Sequence, residues 1–234
     1  MAVSTLGRGP CKGVAVQIGV LGGTGPEGKA LAVRLASVGM DVIIGSRSHD
    51  RAVAAVDELQ AKWPNHNLGL SGADNQGAAV AQMVVVATPW DAAASTALSV
   101  AEHLEGKVVI SIANALARVG DEFQALVPAR GSVAAHVQAT VPAARVAAAF
   151  HHLPARSLGA IDQPMLGDVL VCADDPSARL DTCALVAAIP ALRPVDAGTL
   201  SNASAIEAFT AVLLGVNVRY RARATVQLTG IEVG

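Results

Sequence analysis

The chain has few aromatic residues and few cysteines, the residues that often stabilise small or metal-binding folds. Aromatic residues make up 3% of its 234 residues, and its three cysteines, Cys11, Cys172 and Cys183, form no Cys-x-x-Cys pair. Three scattered cysteines favour neither a disulfide framework nor a zinc site, and we expect no metal. We therefore expect a protein of a reducing compartment, with the cytoplasm as its location.

An excess of one charge and long apolar runs are also missing. The formal net charge is −2 at pH 7, which gives no electrostatic reason to expect nucleic acid as a partner. No apolar run approaches the roughly 18 residues needed to cross a bilayer. The first residues, MAVSTLGRGPCKG, lack the apolar core of a signal peptide, and we predict a flexible tail over residues 1–13. These absences favour a soluble protein with no membrane partner.

Several familiar catalytic motifs are absent as well. Tyr220 is the single tyrosine and Ala224 stands four residues after it, so the chain has no Tyr-x-x-x-Lys pair. It also has no Gly-x-Ser-x-Gly and no His-Glu-x-x-His. His151 and His152 are adjacent, and we expect them to point to opposite faces of a strand. No proton donor of the kind that a carbonyl reductase needs is obvious.

Apolar residues nevertheless make up 52% of the chain, enough for a large core. Apolar runs typical of buried strands alternate with patterns of helical spacing, including helices expected at 90–104 and 201–220. The strand runs lie at 14–21, 41–45, 67–72, 83–87, 107–112, 145–150 and 168–173. This order predicts an α/β fold, a Rossmann-type doubly wound parallel sheet over residues 14–198. A small C-terminal helical cap over residues 199–234 is expected to close a cleft.

A glycine-rich turn follows the first of these strands. The stretch VLGGTGPEGKA contains Gly-x-Gly-x-x-Gly as Gly23, Gly25 and Gly28, and a helix begins within it. In such a turn the first glycine permits the tight bend and the second lets the backbone approach a pyrophosphate. The third lets the helix pack closely on the strand. The free N–H groups of the helix N-terminus add to phosphate binding, so the pattern predicts a dinucleotide site.

The end of the second strand lacks the carboxylate that usually binds the ribose of NAD. The stretch DVIIGSRSHDR instead places Ser46 and Arg47 at the strand end and Arg51 one helical turn later. A guanidinium group binds a phosphate through paired hydrogen bonds, and the hydroxyl of Ser46 can donate another. The pattern therefore favours NADP over NAD. The competing interpretation is that both arginines are ordinary solvated residues at a helix start.

Three further residues stand where ligands bind in such sheets, beyond the carboxyl ends of the strands. Asn114 follows one buried strand, and a cap or turn asparagine is its alternative interpretation. Trp90 either flanks a cofactor or packs under the sheet. His151 is either a ligand contact or an ordinary histidine at a strand end. Hydride exchange between two cofactors needs close stacking more than a proton donor, which agrees with the missing acid and base residues.

Several stretches resemble the F420-dependent NADP reductases (F420H2:NADP oxidoreductases). The resemblance covers residues 18 to about 231, and its stretches are GGTGPEGKALAVRLASVG, VIIGSR, ATPWDAA, HHLPA, LVCADD and RPVDAGTLSNA. It implies an oxidoreductase that transfers a hydride reversibly between reduced coenzyme F420, a deazaflavin, and NADP. It also implies a homodimer, with these small-molecule cofactors as its partners.

The resemblance assigns NADP contacts to particular residues. It places the phosphates on Thr24, Gly25, Pro26 and Glu27, within the turn whose glycine motif already predicts Gly23 and Gly28 as cofactor contacts. It places the 2′-phosphate at Ser46, Arg47 and Arg51. Thr88 and Trp90 border the cofactor from the loop after the fourth strand, and Ala155 lies on its nicotinamide side.

The resemblance assigns the deazaflavin to a second set of residues. Its ring is expected over His151 and Leu153, with Leu214 and Leu228 closing the slot.

Two further expectations come from the residues themselves. Asn114, at the end of a buried strand, is an expected cofactor contact. His151 is the expected catalytic residue, because a hydrogen bond from it to the polar edge of the deazaflavin stabilises charge there as the hydride leaves.

Two other functions stay open on the residues alone. One is an NADP-dependent reductase of a small imine or ketone, for which His151 or Asn114 is the available proton donor. The other is a non-catalytic NADP(H) sensor that binds partners through its cap.

Overall fold

The protein is built on a central sheet. The computed structural model describes residues 16–232, so the tail predicted for residues 1–13 lies outside the described residues. The described chain contains ten strands: β1 (Gln17–Leu21), β2 (Asp41–Ser46), β3 (Leu70–Asp74), β4 (Met83–Val86), β5 (Val108–Ser111), β6 (Leu116–Val119), β7 (Glu122–Ala125), β8 (Arg145–Ala148), β9 (Gly167–Ala173) and β10 (Leu192–Asp196). Strands β6 and β7 form a separate antiparallel hairpin, and the other eight form one sheet.

The order of the strands across the sheet is β10-β9-β8-β5-β4-β1-β2-β3. The chain therefore starts in the middle, runs outward through β2 and β3, and returns to build the other half from β4. Every neighbouring pair is parallel except β8 and β9. The predicted Rossmann-type architecture is confirmed, with this one antiparallel pair as a difference.

The antiparallel pair follows from the path of the chain after β8. Residues 149–166 stay at the carboxyl edge of the sheet and do not cross back to its other edge. Strand β9 therefore begins at that edge and runs in the direction opposite to β8. This connection leaves a loop of the chain at the edge where ligands bind in parallel sheets.

Helices lie between the strands and cover both faces. They are α1 (Pro26–Ser37), α2 (His49–Lys62), α3 (Asn75–Ala79), α4 (Trp90–Leu98), α5 (Val133–Thr140), α6 (Ala155–Leu158), α7 (Pro176–Ala187) and α8 (Ala203–Tyr220), with short 3₁₀ turns at Ala101–His103 and Leu200–Asn202. On one face α1 and α7 bury Leu31 and Val186 against the sheet. On the other face α5 and α8 bury Val137 and Ile206. Within residues 16–232, no helix combines the length and apolarity that a membrane crossing requires.

Candidate functional site

The turn between β1 and α1 is fixed by its own backbone. The N–H of Gly23 donates to the carbonyl oxygens of Val20 at 3.1 Å and of Gly45 at 2.8 Å. A Cβ on Gly23 would stand 2.8 Å from the oxygen of Val20, and a Cβ on Gly28 would stand 2.6 Å from the Cα of Gly23. The packing of the protein itself therefore requires these two glycines.

Gly25 is different, because the protein does not fill the space beside it. A Cβ there would meet only the carbonyl oxygen of Gly22, at 3.7 Å, and the φ of −72° is open to any residue. Gly25 is the N-cap of α1, which has no side-chain cap, and Pro26 follows at its first turn. An open approach to an uncapped helix N-terminus fits a phosphate group. The residues present therefore fit the phosphates of a dinucleotide.

A cavity of about 410 Å³ opens beside this turn. It lies between the carboxyl ends of β1 and β4, where the strand order reverses, and α8 forms its opposite wall. Nine of the residues expected at the site line it: Gly25, Pro26, Glu27, Thr88, Trp90, Asn114, His151, Leu153 and Leu214. The structure thus brings together side chains from the glycine turn, the loops after β4, β5 and β8, and the C-terminal helix.

The residues expected at the 2′-phosphate lie beyond this lining, at the end of β2. Ser46 is buried and its Oγ accepts a long hydrogen bond, 3.4 Å, from the N–H of Ser48. Arg47 and Arg51 are exposed, and neither forms an ion pair with any described residue. Gly45, two residues before Arg47, accepts from the N–H of Gly23 and so connects the end of β2 to the glycine turn.

His151 is a buried and neutral group in the pocket wall. It is 4% exposed, and both ring nitrogens have no hydrogen-bond partner among the described residues. Burial, with a smaller contribution from the adjacent His152, lowers the pKa of its imidazole to about 3, although the backbone of Ile112 and Ala113 acts in the opposite direction. A buried polar ring without a partner that faces a cavity is suited to a hydrogen bond with a ligand. It cannot serve as a charged acid at neutral pH.

The placement of His151 and His152 on a strand was wrong, because both residues lie in a turn beyond the end of β8. Both line the pocket, and Nε2 of His152 lies 2.6 Å from the carbonyl oxygen of Asp168. In the described residues, no three His, Cys, Asp or Glu side chains lie close enough to hold a metal ion.

Asn114 connects three parts of the pocket wall. Its Nδ2 donates to the carbonyl oxygen of His151 at 2.8 Å, and its Oδ1 accepts from Oγ1 of Thr210 at 3.2 Å. The hydroxyl of Thr210, on α8, also lies 3.2 Å from the same His151 carbonyl. The end of β5, the turn after β8 and the C-terminal helix are therefore tied together at one point. No motif in the sequence indicates this role for Thr210.

The remaining expected residues lie around the pocket or away from it. Gly23, Thr24 and Gly28 belong to the glycine turn but do not line the cavity, and Ala155 follows the lining residue Pro154. Leu228 lies outside the lining. Its N–H donates to Oδ2 of Asp168 and its carbonyl accepts from Arg193, both at 2.6 Å.

The pocket and sheet together define a class of protein. A mostly parallel sheet with a glycine turn at the point where strand order reverses is the architecture of dinucleotide-binding oxidoreductases. A crystal structure of a protein from Arthrobacter sp. FB24 has this same fold, with a TM-score of 0.78 at 24% identity, over 92% of this chain and 99% of that one.

Sequence comparison narrows the class to one family. Residues 17–115 match the family model described as NADP oxidoreductase, coenzyme F420-dependent. The F420-dependent NADP reductase of Methanocaldococcus jannaschii is 34% identical, over 93% of this chain and 100% of that protein. The enzyme of that name from Methanothermobacter marburgensis is also 34% identical, over 92% and 99%. The chain belongs to the F420-dependent NADP reductase family, and the resemblance seen in the sequence is confirmed.

Proposed function

We propose that this protein transfers a hydride reversibly between reduced coenzyme F420 and NADP. One structural observation carries the proposal. A single cavity has the open approach at Gly25 at one end and a wall of neutral groups around His151 at the other. The reduced deazaflavin supplies the hydride, the nicotinamide accepts it, and one proton is released to solvent. Such a reaction needs two rings held together in a dry slot, and the wall provides that slot without a charged acid.

The glycine turn and the end of β2 hold NADP in this proposal. Gly25 admits the pyrophosphate to the N-terminus of α1. Ser46, Arg47 and Arg51 bind the 2′-phosphate, since the two arginines are exposed after the end of β2 and have no anionic partner in the described chain. Thr88 and Trp90 border the cofactor from the loop after β4.

The wall after β8 and the C-terminal helix hold the deazaflavin. Leu153 and Leu214 present apolar surface to its ring, and His151 offers a neutral hydrogen bond to its polar edge. Asn114 fixes the backbone of His151 through the 2.8 Å hydrogen bond to its carbonyl. Ala155 lies toward the nicotinamide. Leu228 takes part only if the C-terminal segment moves toward the cavity.

We expect Arg47→Ala to weaken NADP binding by about tenfold or more and to leave NAD binding little changed. Each hydrogen-bonded arginine–phosphate contact contributes about 1.5–3 kcal/mol, and NAD has no 2′-phosphate. Titration of both nucleotides by fluorescence or calorimetry measures the effect. Arg130→Ala, which removes an exposed arginine from another part of the surface, is the matched control. Equal losses for NADP and NAD would contradict the assignment of Arg47 to the 2′-phosphate.

The function itself is tested by mixing the protein with NADPH and oxidised F420 and recording the visible absorbance of the deazaflavin. Bleaching at enzymatic rates is the expected result. Turnover with small imines or ketones but not with F420 would point to the NADP-dependent reductase instead. NADPH binding with no oxidation by either acceptor would point to the sensor.

We also propose a homodimer located in the cytoplasm. The helix α8 carries a single charged residue between Ala203 and Val218, Glu207, and that residue is buried. Its outer face exposes Phe209 and Val212, and a helix that is apolar on all sides is normally covered. Light scattering that gives twice the chain mass of 23.6 kDa is the expected outcome.

The proposed location in the cytoplasm is supported by the free thiols of Cys172 and Cys183, which agree with a reducing compartment.

A further inference from the structure

Arg34 is a buried arginine whose charge no described carboxylate balances through an ion pair. It lies on α1, two turns after the glycine turn, and is 4% exposed. None of the ion pairs in the described chain includes it. A buried guanidinium group is costly unless all its donors find partners, so its position calls for a specific set of acceptors.

Those acceptors are four backbone carbonyls of one short segment. Nε donates to the oxygen of Leu158 at 2.8 Å and Nη1 to that of Gln163 at 3.1 Å. Nη2 donates to the oxygens of Ser157 at 3.0 Å and Ala160 at 2.8 Å. Two of these carbonyls close the C-terminus of α6, where helix carbonyls lack partners within the helix and a positive charge is favourable. Arg34 therefore fixes α6 and the turn after it to α1.

The fixed segment is a direct continuation of the pocket wall. Residues 150–154 line the cavity and lead without a break into α6. Leu158 belongs both to the pocket wall and to the segment fixed by Arg34, because the residue lines the cavity and its carbonyl accepts from Nε of Arg34. The contact between the helices is close, since a Cβ on Gly159 would stand 3.4 Å from the Cβ of Ala30 on α1.

The helix α1 lines the cavity as well. Gly25, Pro26 and Glu27 at its N-terminus and Leu31 one turn later are all lining residues. One helix thus begins at the glycine turn and, through Arg34, is bonded to the segment that continues the wall of residues 150–158.

We propose that Arg34 is a positioning residue that holds the wall of residues 150–158 at a fixed distance from the glycine turn, and so sets the spacing of the two rings between which the hydride passes. The inference rests on the proposed function for the identity of the rings, but the clamp itself is a property of the chain. Arg34 touches neither ring. Its effect should therefore appear in the rate of hydride transfer and not in the affinity for NADP.

The test compares Arg34→Met with Lys29→Met. Both changes remove a cation from α1, but Lys29 pairs with Glu58 on α2 at 2.8 Å and does not contact the wall. We expect Arg34→Met to lower the turnover of F420 with NADP between about tenfold and a hundredfold, the range for small misplacements of reacting groups. The dissociation constant for NADP should stay within about threefold. Arg34→Lys should restore part of the rate, and Lys29→Met should behave as the wild type.

Two further readouts separate positioning from general loss of structure. Amide hydrogen exchange should quicken in residues 155–163 of Arg34→Met and stay unchanged in α1 and the central strands. The primary deuterium isotope effect on turnover should rise, because the chemical step then limits the rate. A parallel loss of NADP affinity, or unchanged turnover with fast exchange in residues 155–163, would overturn the proposal.

A second variant keeps the test decisive if Arg34→Met does not fold. Gly159→Ala retains the arginine but places a Cβ 3.3 Å from the oxygen of Ala155 and 3.4 Å from the Cβ of Ala30, so α6 and α1 must give by a few tenths of an ångström where they touch. It should lower turnover while NADP binding persists, and full activity would count against the proposal. If wild-type protein transfers no hydride between F420 and NADP, the proposed function fails separately. Exchange in residues 155–163 then still decides whether Arg34 holds the wall.

Discussion

Gly25→Ala should weaken NADP binding by about 100-fold or more without destabilising the fold. The added methyl group occupies the space through which the pyrophosphate approaches the N-terminus of α1. Two lost hydrogen bonds to a charged group, at about 1.5–3 kcal/mol each, correspond to at least about 100-fold in affinity. The backbone at φ −72° and ψ 166° accepts alanine, and the gain from a less flexible unfolded chain offsets the loss from a poorer N-cap, so the free energy of unfolding should change by less than about 1 kcal/mol. Calorimetric titration with NADP and urea unfolding measure the two effects.

Gly28→Ala is the matched control for stability, because the same change in the same turn should destabilise the fold. Its Cβ would stand 2.6 Å from the Cα of Gly23 and 3.0 Å from the carbonyl carbon and oxygen of that residue. Backbone atoms would have to move, and a loss of more than about 2 kcal/mol in the free energy of unfolding is expected. If Gly25→Ala instead unfolds the protein, or binds NADP as the wild type does, the assignment of Gly25 to the pyrophosphate is wrong.

The strands that could be predicted are those with uninterrupted apolar runs. Strands β1, β4, β5 and β8 each fall within a run expected from the sequence, and β2 and β9 exceed theirs by one residue, because burial on both faces leaves few polar positions. Strand β10 was missed, since Pro194 in its middle argues against a strand. The structure places β10 at the edge of the sheet, where proline costs no ladder hydrogen bond. The exposed hairpin of β6 and β7 has too little buried surface to leave an apolar run.

Parts of the candidate site could be predicted because their signals are local. The glycine turn and the arginines at the end of β2 each lie within a short stretch whose residue types indicate their chemistry. The connections that support the pocket are not local. Arg34 bonds to carbonyls more than 120 positions away, and Thr210 reaches the carbonyl of His151 59 positions away. Every residue has a backbone carbonyl, so no pattern of residue types could indicate which carbonyls accept these hydrogen bonds.

Protein stability should fall by about 3 kcal/mol between roughly pH 4.5 and 7 because of Glu207. This side chain, 4% exposed on α8, accepts from the N–H of Val133 at 2.8 Å and of Ala134 at 3.1 Å, at the start of α5. Burial raises the pKa of its carboxyl from an ordinary 4.5 to about 7, although both N–H groups act in the opposite direction. A tenfold change in an acid dissociation constant corresponds to about 1.4 kcal/mol, which gives the expected total.

The direction of this pH dependence follows from the number of protons bound in the folded and unfolded states. Between the unfolded and folded pKa values the folded protein holds a proton on Glu207 that the unfolded chain has released. The stabilising contribution is therefore complete below about pH 4.5 and is lost as the pH rises through the folded value. Urea unfolding at several pH values measures it. Glu207→Gln, which cannot ionise, should remove this slope even if its amide fits the two N–H groups less well, whereas Glu105→Gln on the surface should keep it. If the free energy of unfolding falls with pH in Glu207→Gln as it does in the wild type, Glu207 is ionised in the folded protein and is stabilised by the N–H groups at the start of α5.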